Sequence, residues 1–331
     1  MKKAGIVALI IGIVLTLVGA AIVFFVFLGV GFDFSKLNYN LIEGSSQSYV
    51  TKTYDISEEF ESINIEDSSA DIYFEKATGD KVYVESYERD DVDYDVKVNN
   101  KTLYINRDPK SDLQFFSIGI NTDESRLTVY LPKKAYDELT INTASSDIIL
   151  SAEIEFSSVD IDVASGDVSV DSKVSESISV DAASSDLFIN SSDTKIVNLH
   201  TASGEIIVSR LNNCEEIEVS TASGEIDLTD IKTKNINCSS SSGEQSYNNV
   251  VADSKMELHS GSGEIKLYSC DAQDIIINTA SGDIYGELLS KKKFVTDTAS
   301  GDVDIAHDAH GENGECNINT ASGDITIRLS K

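Results

Sequence analysis

The segment Asn-Thr-Ala-Ser-Gly-Asp-Ile recurs along this chain at an almost constant stride. It is intact or nearly so around Ser165, Ser203, Ser223, Ser281, Ser300 and Ser322, and degraded around Ser69, Ser145, Ser184, Ser242 and Ser262. With the Gly slot as register mark, Ser146, Gly166, Ser185, Gly204, Gly224, Gly243, Gly263, Gly282, Gly301 and Gly323 follow at steps of 20, 19, 19, 20, 19, 20, 19, 19 and 22 residues. A fixed period this short describes a stack of units, each too small to fold alone.

Each unit has the same apolar phase. Pairs such as Leu139/Ile141, Val159/Ile161, Ile178/Val180 and Ile217/Val219 stand seven and five residues before the mark. Pairs such as Ile148/Leu150, Val168/Val170, Leu187/Ile189, Val303/Ile305 and Ile325/Ile327 stand two and four after it. Both sets alternate with polar residues and are rich in β-branched side chains, which is strand and not helix. One unit therefore reads as strand, tight Ser-Gly corner, strand and return loop. The return loop carries an apolar plug at Ile154, Val174, Leu211, Ile231, Val250 and Leu289.

A slip of one residue would turn every apolar side chain outward, so successive units must stack in register. The expected fold class is all-β: a parallel β-solenoid (β-helix) with 19–20-residue coils about 4.8 Å apart. The Gly is expected to supply positive φ at the corner. The Ala two residues before it, as in Ala144, Ala202 and Ala299, is expected where the walls close. The regular repeats span residues 139–331. Residues 51–138 read as irregular N-terminal coils, because Ile63, Ile65, Ile72 and Phe74 share the phase, with a loop inserted near Asp108–Glu124.

Leu131-Pro132, then Leu139-Thr140-Ile141-Asn142-Thr143-Ala144 and the repeated Ala-Ser-Gly-Asp-Ile units, resemble a bacterial family. It is the β-strand-repeat domain of unknown function labelled "putative adhesin", which includes membrane-anchored envelope proteins similar to LiaG. The resemblance covers about residues 50–331. It implies surface exposure and binding, and it brings no catalytic residues.

Residues Ala4–Phe32 contain no charged side chain, and Lys2 and Lys3 precede them. The run exceeds the roughly 20 apolar residues that cross a bilayer. Residues 1–32 are therefore expected to be an uncleaved transmembrane signal anchor, and 33–50 a polar tether. The positive-inside bias places the N-terminus in the cytoplasm and the remainder outside. The chain carries 26 Lys plus Arg against 56 Asp plus Glu, a net charge of −30. That surface repels nucleic acid and anionic head groups and attracts cations.

The most regular polar feature is the acid after each mark: Asp147, Asp167, Asp186, Glu205, Glu225, Glu244, Glu264, Asp283, Asp302 and Asp324, with Asp71 in the earlier copy. In stacked coils they form a ladder of like charges that raise one another's pKa. A file of Ca²⁺ would compensate. Short acids beside Ser-Gly corners also bond local backbone N–H groups. Glu fills half of the ladder interchangeably with Asp, which speaks for the second reading, and no cofactor or metal is expected.

The Ser column beside it lacks the base that a nucleophile needs. His200 and His259 fall on the outward side of their strands, three coils apart. Among the four cysteines, Cys238 and Cys316 take inward slots and Cys270 a plug slot, so disulfides are not expected, and only Cys214 reads as surface. The five Arg form no cluster in phase. The expected function is a non-enzymatic envelope-binding module or envelope-stress accessory, whose partner is an envelope component or a surface protein. The alternatives are a polysaccharide-active enzyme on a β-helix scaffold and a structural spacer.

Overall fold

The computed structural model describes residues 48–108, 125–191 and 193–330. The expected anchor Ala4–Phe32, most of the tether and the inserted loop lie outside these residues. The tether ends slightly early, because Tyr49 already opens a strand. Among the described residues no helix is long and apolar enough to cross a membrane.

The chain winds as a parallel β-solenoid of about ten coils. In one coil, β10 (Glu155–Ser165) forms the first wall, the chain turns at Gly166, and β11 (Val168–Val170) forms the second wall. The return loop leads to β12 (Lys173–Ser184) and β13 (Leu187–Ile189). Val159 faces Ile178 and Ile161 faces Val180 on one wall, and Val168 faces Leu187 on the other. The inward residues are buried in one continuous core. This is the phase that the alternating pattern requires, since one face of each strand must leave water.

The corner differs in two details from expectation. The Ala residues face outward: Ala144, Ala202 and Ala299 are exposed, and the residue before each, such as Thr143 or Thr201, points in. Alternation demands this, because each Ala stands two residues after an outward position, as Ala144 does after Asn142 and Ala202 after His200. The Gly serves close approach as much as φ. Gly166 has φ +113°, whereas Gly224 needs no positive φ, yet a Cβ there would stand 1.8 Å from the Gly204 carbonyl oxygen. The loop plug after Gly282 is Leu288, buried opposite Cys270, and not Leu289, which is exposed. The other five plugs are buried as expected.

Both ends break the sequential order. The last coil in sequence, β23 (His310–Ser322) and β24 (Ile325–Leu329), does not stand at the end. It pairs on one side with β19 (Ile265–Ser281) and β20 (Ile284–Leu288). On the other side it pairs with β21 (Lys292–Thr298) and β22 (Val303–Ile305). The Gly323 coil is thus inserted between the Gly282 and Gly301 coils. The N-terminal end mirrors this arrangement. β2 (Ser62–Glu66) lies between β6 (Thr102–Arg107) and β8 (Ala135–Ser145), and β3 (Asp71–Lys76) lies between β7 (Arg126–Leu131) and β9 (Ile148–Leu150). Each inserted coil gains ladder hydrogen bonds on both edges and is held against fraying.

The irregularity of residues 51–138 comes from added antiparallel strands. β1 (Tyr49–Ile56), β4 (Val82–Arg89) and β5 (Tyr94–Asn99) add antiparallel strands to the parallel stack. They close the column with Val84, Val92 and Tyr94, all buried.

Candidate binding faces

The acids form the expected ladder, with one change of order: Asp283 is followed by Asp324 and then Asp302, because the final coil is inserted. The Asp and Glu rungs differ chemically. Each Asp carboxylate except that of the end rung, Asp302, accepts a hydrogen bond from the main-chain N–H of the next acid in the stack. These bonds run from Asp147 to Asp71 (2.9 Å), Asp167 to Asp147 (2.9 Å), Asp186 to Asp167 (3.3 Å) and Glu205 to Asp186 (2.7 Å). They resume from Asp324 to Asp283 and from Asp302 to Asp324, both 2.8 Å. The Glu rungs use another device at one point, where Lys266 bridges Glu244 (2.9 Å) and Glu264 (2.7 Å). Burial, then Glu225 and Asp186, raises the Glu205 carboxyl above its ordinary pKa. Asp oxygens committed to backbone N–H groups are poorly disposed to encircle a cation. Among the described residues, no group of three or more His, Cys, Asp or Glu could hold a metal ion.

The Ser column stands in register: Ser145, Ser165, Ser184, Ser203, Ser223, Ser242, Ser262, Ser281, Ser322 and Ser300. The carbonyls of several of these residues accept the bond from the neighbouring corner, as Ser165 does from Ser146 at 3.0 Å. Neither expected histidine reaches the column. His200 Nδ1 lies 2.6 Å from Ser220 Oγ, and His259 Nε2 lies 3.3 Å from Glu257 Oε1.

All four cysteines are free and buried. Cys214 does not lie on the surface: its Sγ lies 3.2 Å from the Lys195 carbonyl oxygen, tucked under the return loop. Burial raises all four thiols, Cys238 and Cys316 to about 12 and Cys270 to about 11.

One buried charge cluster forms around Arg107. Buried Arg107 donates to Glu88 at 2.8 Å and lies 3.8 Å from Asp67, while the Tyr94 hydroxyl donates to Asp67 at 2.6 Å. These residues come from three strands, β4, β5 and β6, and from the turn after β2, so no sequence spacing links them.

The outer surface of the first wall carries the feature of most interest. Asp162, Asp181, His200, Ser220, Ser239, His259, Asn278 and Asn319 occupy one outward column, each facing the next across adjacent coils. Asp160, Ser179, Asn198, Glu218, Asn237 and Glu257 form a parallel column beside it. Every rung offers donors or acceptors, about 4.8 Å apart. Burial, then Asp160 and Asp181, raises the Asp162 carboxyl. The second wall is different. Ile149 (39% exposed), Ser169, Phe188 (36% exposed) and Ile207 form a largely apolar outward column there.

At the return corner, Arg210, Asp230, Asn249 and Ser269 stack with positive φ of 55–61°. Asn190 ties this ladder to Asp171, and Arg210 Nε donates to Asn190 at 2.6 Å. Arg210, Asn212, Asp230, Lys232 and Asn249 line a shallow recess of about 450 Å³. Asn and Asp accept the left-handed region more readily than most residues, and this was the available sequence signal.

Several solved structures are similar to the chain. A "putative adhesin" from Bacteroides fragilis is 14% identical, with 85% of this chain and 98% of that one covered and a TM-score of 0.40. A "putative lipid binding protein" from Parabacteroides distasonis is 22% identical over 71% of this chain and 96% of that one, with a TM-score of 0.47. A "putative adhesin" from the same organism is 12% identical over 84% and 97%, with a TM-score of 0.45. No curated relative matches the sequence. The Toastrack DUF4097 family matches residues 60–213 and again 210–331, nearly the whole solenoid. The chain belongs to the Toastrack DUF4097 family.

Proposed function

We propose that this protein is a non-enzymatic binding module of the bacterial envelope, tethered to the cytoplasmic membrane by Ala4–Phe32 and presenting its solenoid outside. The observation that carries the reading is the outward polar column from Asp162 through His200 and Ser220 to His259, one side chain per coil along one wall. A hydroxyl- or amide-rich envelope polymer lying along the rod can hydrogen-bond successive rungs. Affinity then accumulates over many weak contacts, without a deep pocket.

Binding of the full-length protein to isolated cell-wall material tests this. Replacing Asn198, His200 and Ser220 together by Ala should weaken binding, and replacing Ile149 and Phe188 by Ser should not. Equal binding by both variants would remove the polar column from consideration. Protease added to intact spheroplasts should remove residues beyond about 50 and spare the anchor. Recovery of the whole chain in the soluble secreted fraction would rule the tether out.

A second reading rests on Asp162, whose raised pKa beside Asp181 suits a general acid of a polysaccharide-active enzyme. Release of reducing ends from acidic polysaccharide, abolished by Asp162→Asn, would favour that reading over the first.

A further inference from the structure

The two ends of the apolar column are unlike. The N-terminal end is closed by antiparallel strands, whereas the C-terminal end stops at β21 and β22. Val303 is 44% exposed there, although the equivalent Ile325 and Ile284 in the coils behind it are buried. On the outer edge of β21 no described strand is paired, and Val295 is 47% exposed. An open edge of this kind has unpaired N–H and C=O groups ready for another strand.

We propose that the occupant is a second copy of this chain, with the two C-terminal tips joined by antiparallel pairing of β21 with β21 about a two-fold axis at Val295. The argument is charge complementarity within the strand itself. Lys293, Val295 and Asp297 lie on the outward face of Lys293-Phe294-Val295-Thr296-Asp297. Centred on Val295, the pairing sets Lys293 of each copy opposite Asp297 of the other, Val295 opposite Val295, and Phe294 opposite Thr296. Moving the centre by one residue in either direction sets Val295 opposite Lys293 or opposite Asp297.

The strand is thus self-complementary in one register only, and the interface is isologous and closes at two subunits. The half-exposed Phe294 and Val303 end of the column is covered by the same contact. Lys293 already lies 3.5 Å from Glu315 of its own chain, but it remains largely exposed and free to turn towards a partner. The pairing holds for any ligand of the outer walls.

The test is a charge exchange read by light scattering and sedimentation of the full chain in detergent. The wild type should dimerise. Lys293→Asp should weaken the dimer on the order of tenfold or more, because two favourable cross-strand pairs become two repulsive ones. The double variant Lys293→Asp with Asp297→Lys should restore it. Val295→Cys should form a disulfide-linked dimer faster than Ile149→Cys, a site on the outer wall. Unchanged melting of each variant monomer shows that folding is intact. A monomeric wild type, a dimer indifferent to Lys293→Asp, or failure of the exchange to rescue would overturn the proposal. A dimer held only by the apolar N-terminal segment would survive Lys293→Asp and so be recognised.

Discussion

Asp186 accepts a hydrogen bond at 2.7 Å from the main-chain N–H of Glu205, one coil further along the rod. The Glu205 carboxylate, one methylene longer, does not accept the Glu225 main-chain N–H, and burial and neighbouring acids raise its pKa. At these two rungs the residue types act in opposite directions: Asp186 caps the next coil, whereas Glu205 is crowded by acids on both sides. Asp186→Ala should cost about 1 kcal/mol in chemical denaturation, since the bond is charge-assisted but partly exposed.

Replacing Glu205 and Glu225 by Gln should leave stability unchanged or higher near neutral pH, whereas Glu244→Gln also removes a partner of Lys266. The sign follows from the raised Glu205 pKa. The folded chain holds that proton more tightly than the unfolded chain, so the group's contribution is present at low pH and lost as pH rises through the folded value. The advantage of the Gln variant should thus shrink as pH falls through the raised folded pKa and be gone below the ordinary Glu value of about 4. Millimolar Ca²⁺ should raise the melting temperature no more than Mg²⁺ does. Stoichiometric Ca²⁺ binding by calorimetry, abolished in the Gln variant, would sink this account.

Val219 is fully buried between Leu199 and Cys238 of the adjacent coils. Val219→Asp should cost about 3–5 kcal/mol, because it buries an unpaired carboxylate. Val219→Ile should cost about 1 kcal/mol through overpacking. Urea titration of both variants separates the two outcomes, and equal tolerance would contradict the inward assignment.

Gly224→Ala should be worse than its small size suggests. The new methyl would meet the Gly204 carbonyl at 1.8 Å, and backbone cannot swing away. A loss of about 3 kcal/mol is expected. Gly79→Ala, at φ +84° but with open space around it, should cost only about 1–2 kcal/mol of backbone strain. A loss at Gly224 no larger than that at Gly79 would show that stacking distance does not select Gly at this corner.

Arg107→Ala should unfold the N-terminal cap. It strands the buried Glu88 carboxylate at 2.8 Å and weakens the field on Asp67. A cost of about 3–5 kcal/mol follows for breaking a buried pair by removing one partner. Hydrogen exchange should show the loss concentrated in β4, β5 and β6, and uniform destabilisation would contradict the local role.

The four thiols should resist a charged thiol reagent in the folded protein and react together on unfolding. Each is buried, and Cys238 and Cys316 are pushed up to about 12. Rapid labelling of Cys214 alone in the native state would show that the return loop opens.

The sequence by itself determined the coil. Inward pairs such as Val159/Ile161 and Ile178/Val180 repeat with period 2 inside a 19–20-residue stride, and only in-register parallel stacking buries them all. The acid ladder was legible for the same reason, because one phase in sequence becomes one line in space. The order of the end coils was not legible. The Gly301 and Gly323 coils obey one pattern, and nothing local says which of them contacts Gly282; the tertiary structure chose Gly323. Arg107 with Asp67, Glu88 and Tyr94 was equally hidden, since these residues meet only after β2, β4, β5 and β6 have paired. Local periodicity sets which face of a strand is buried. Which coil becomes the neighbour depends on long-range contacts, where coils of identical phase compete.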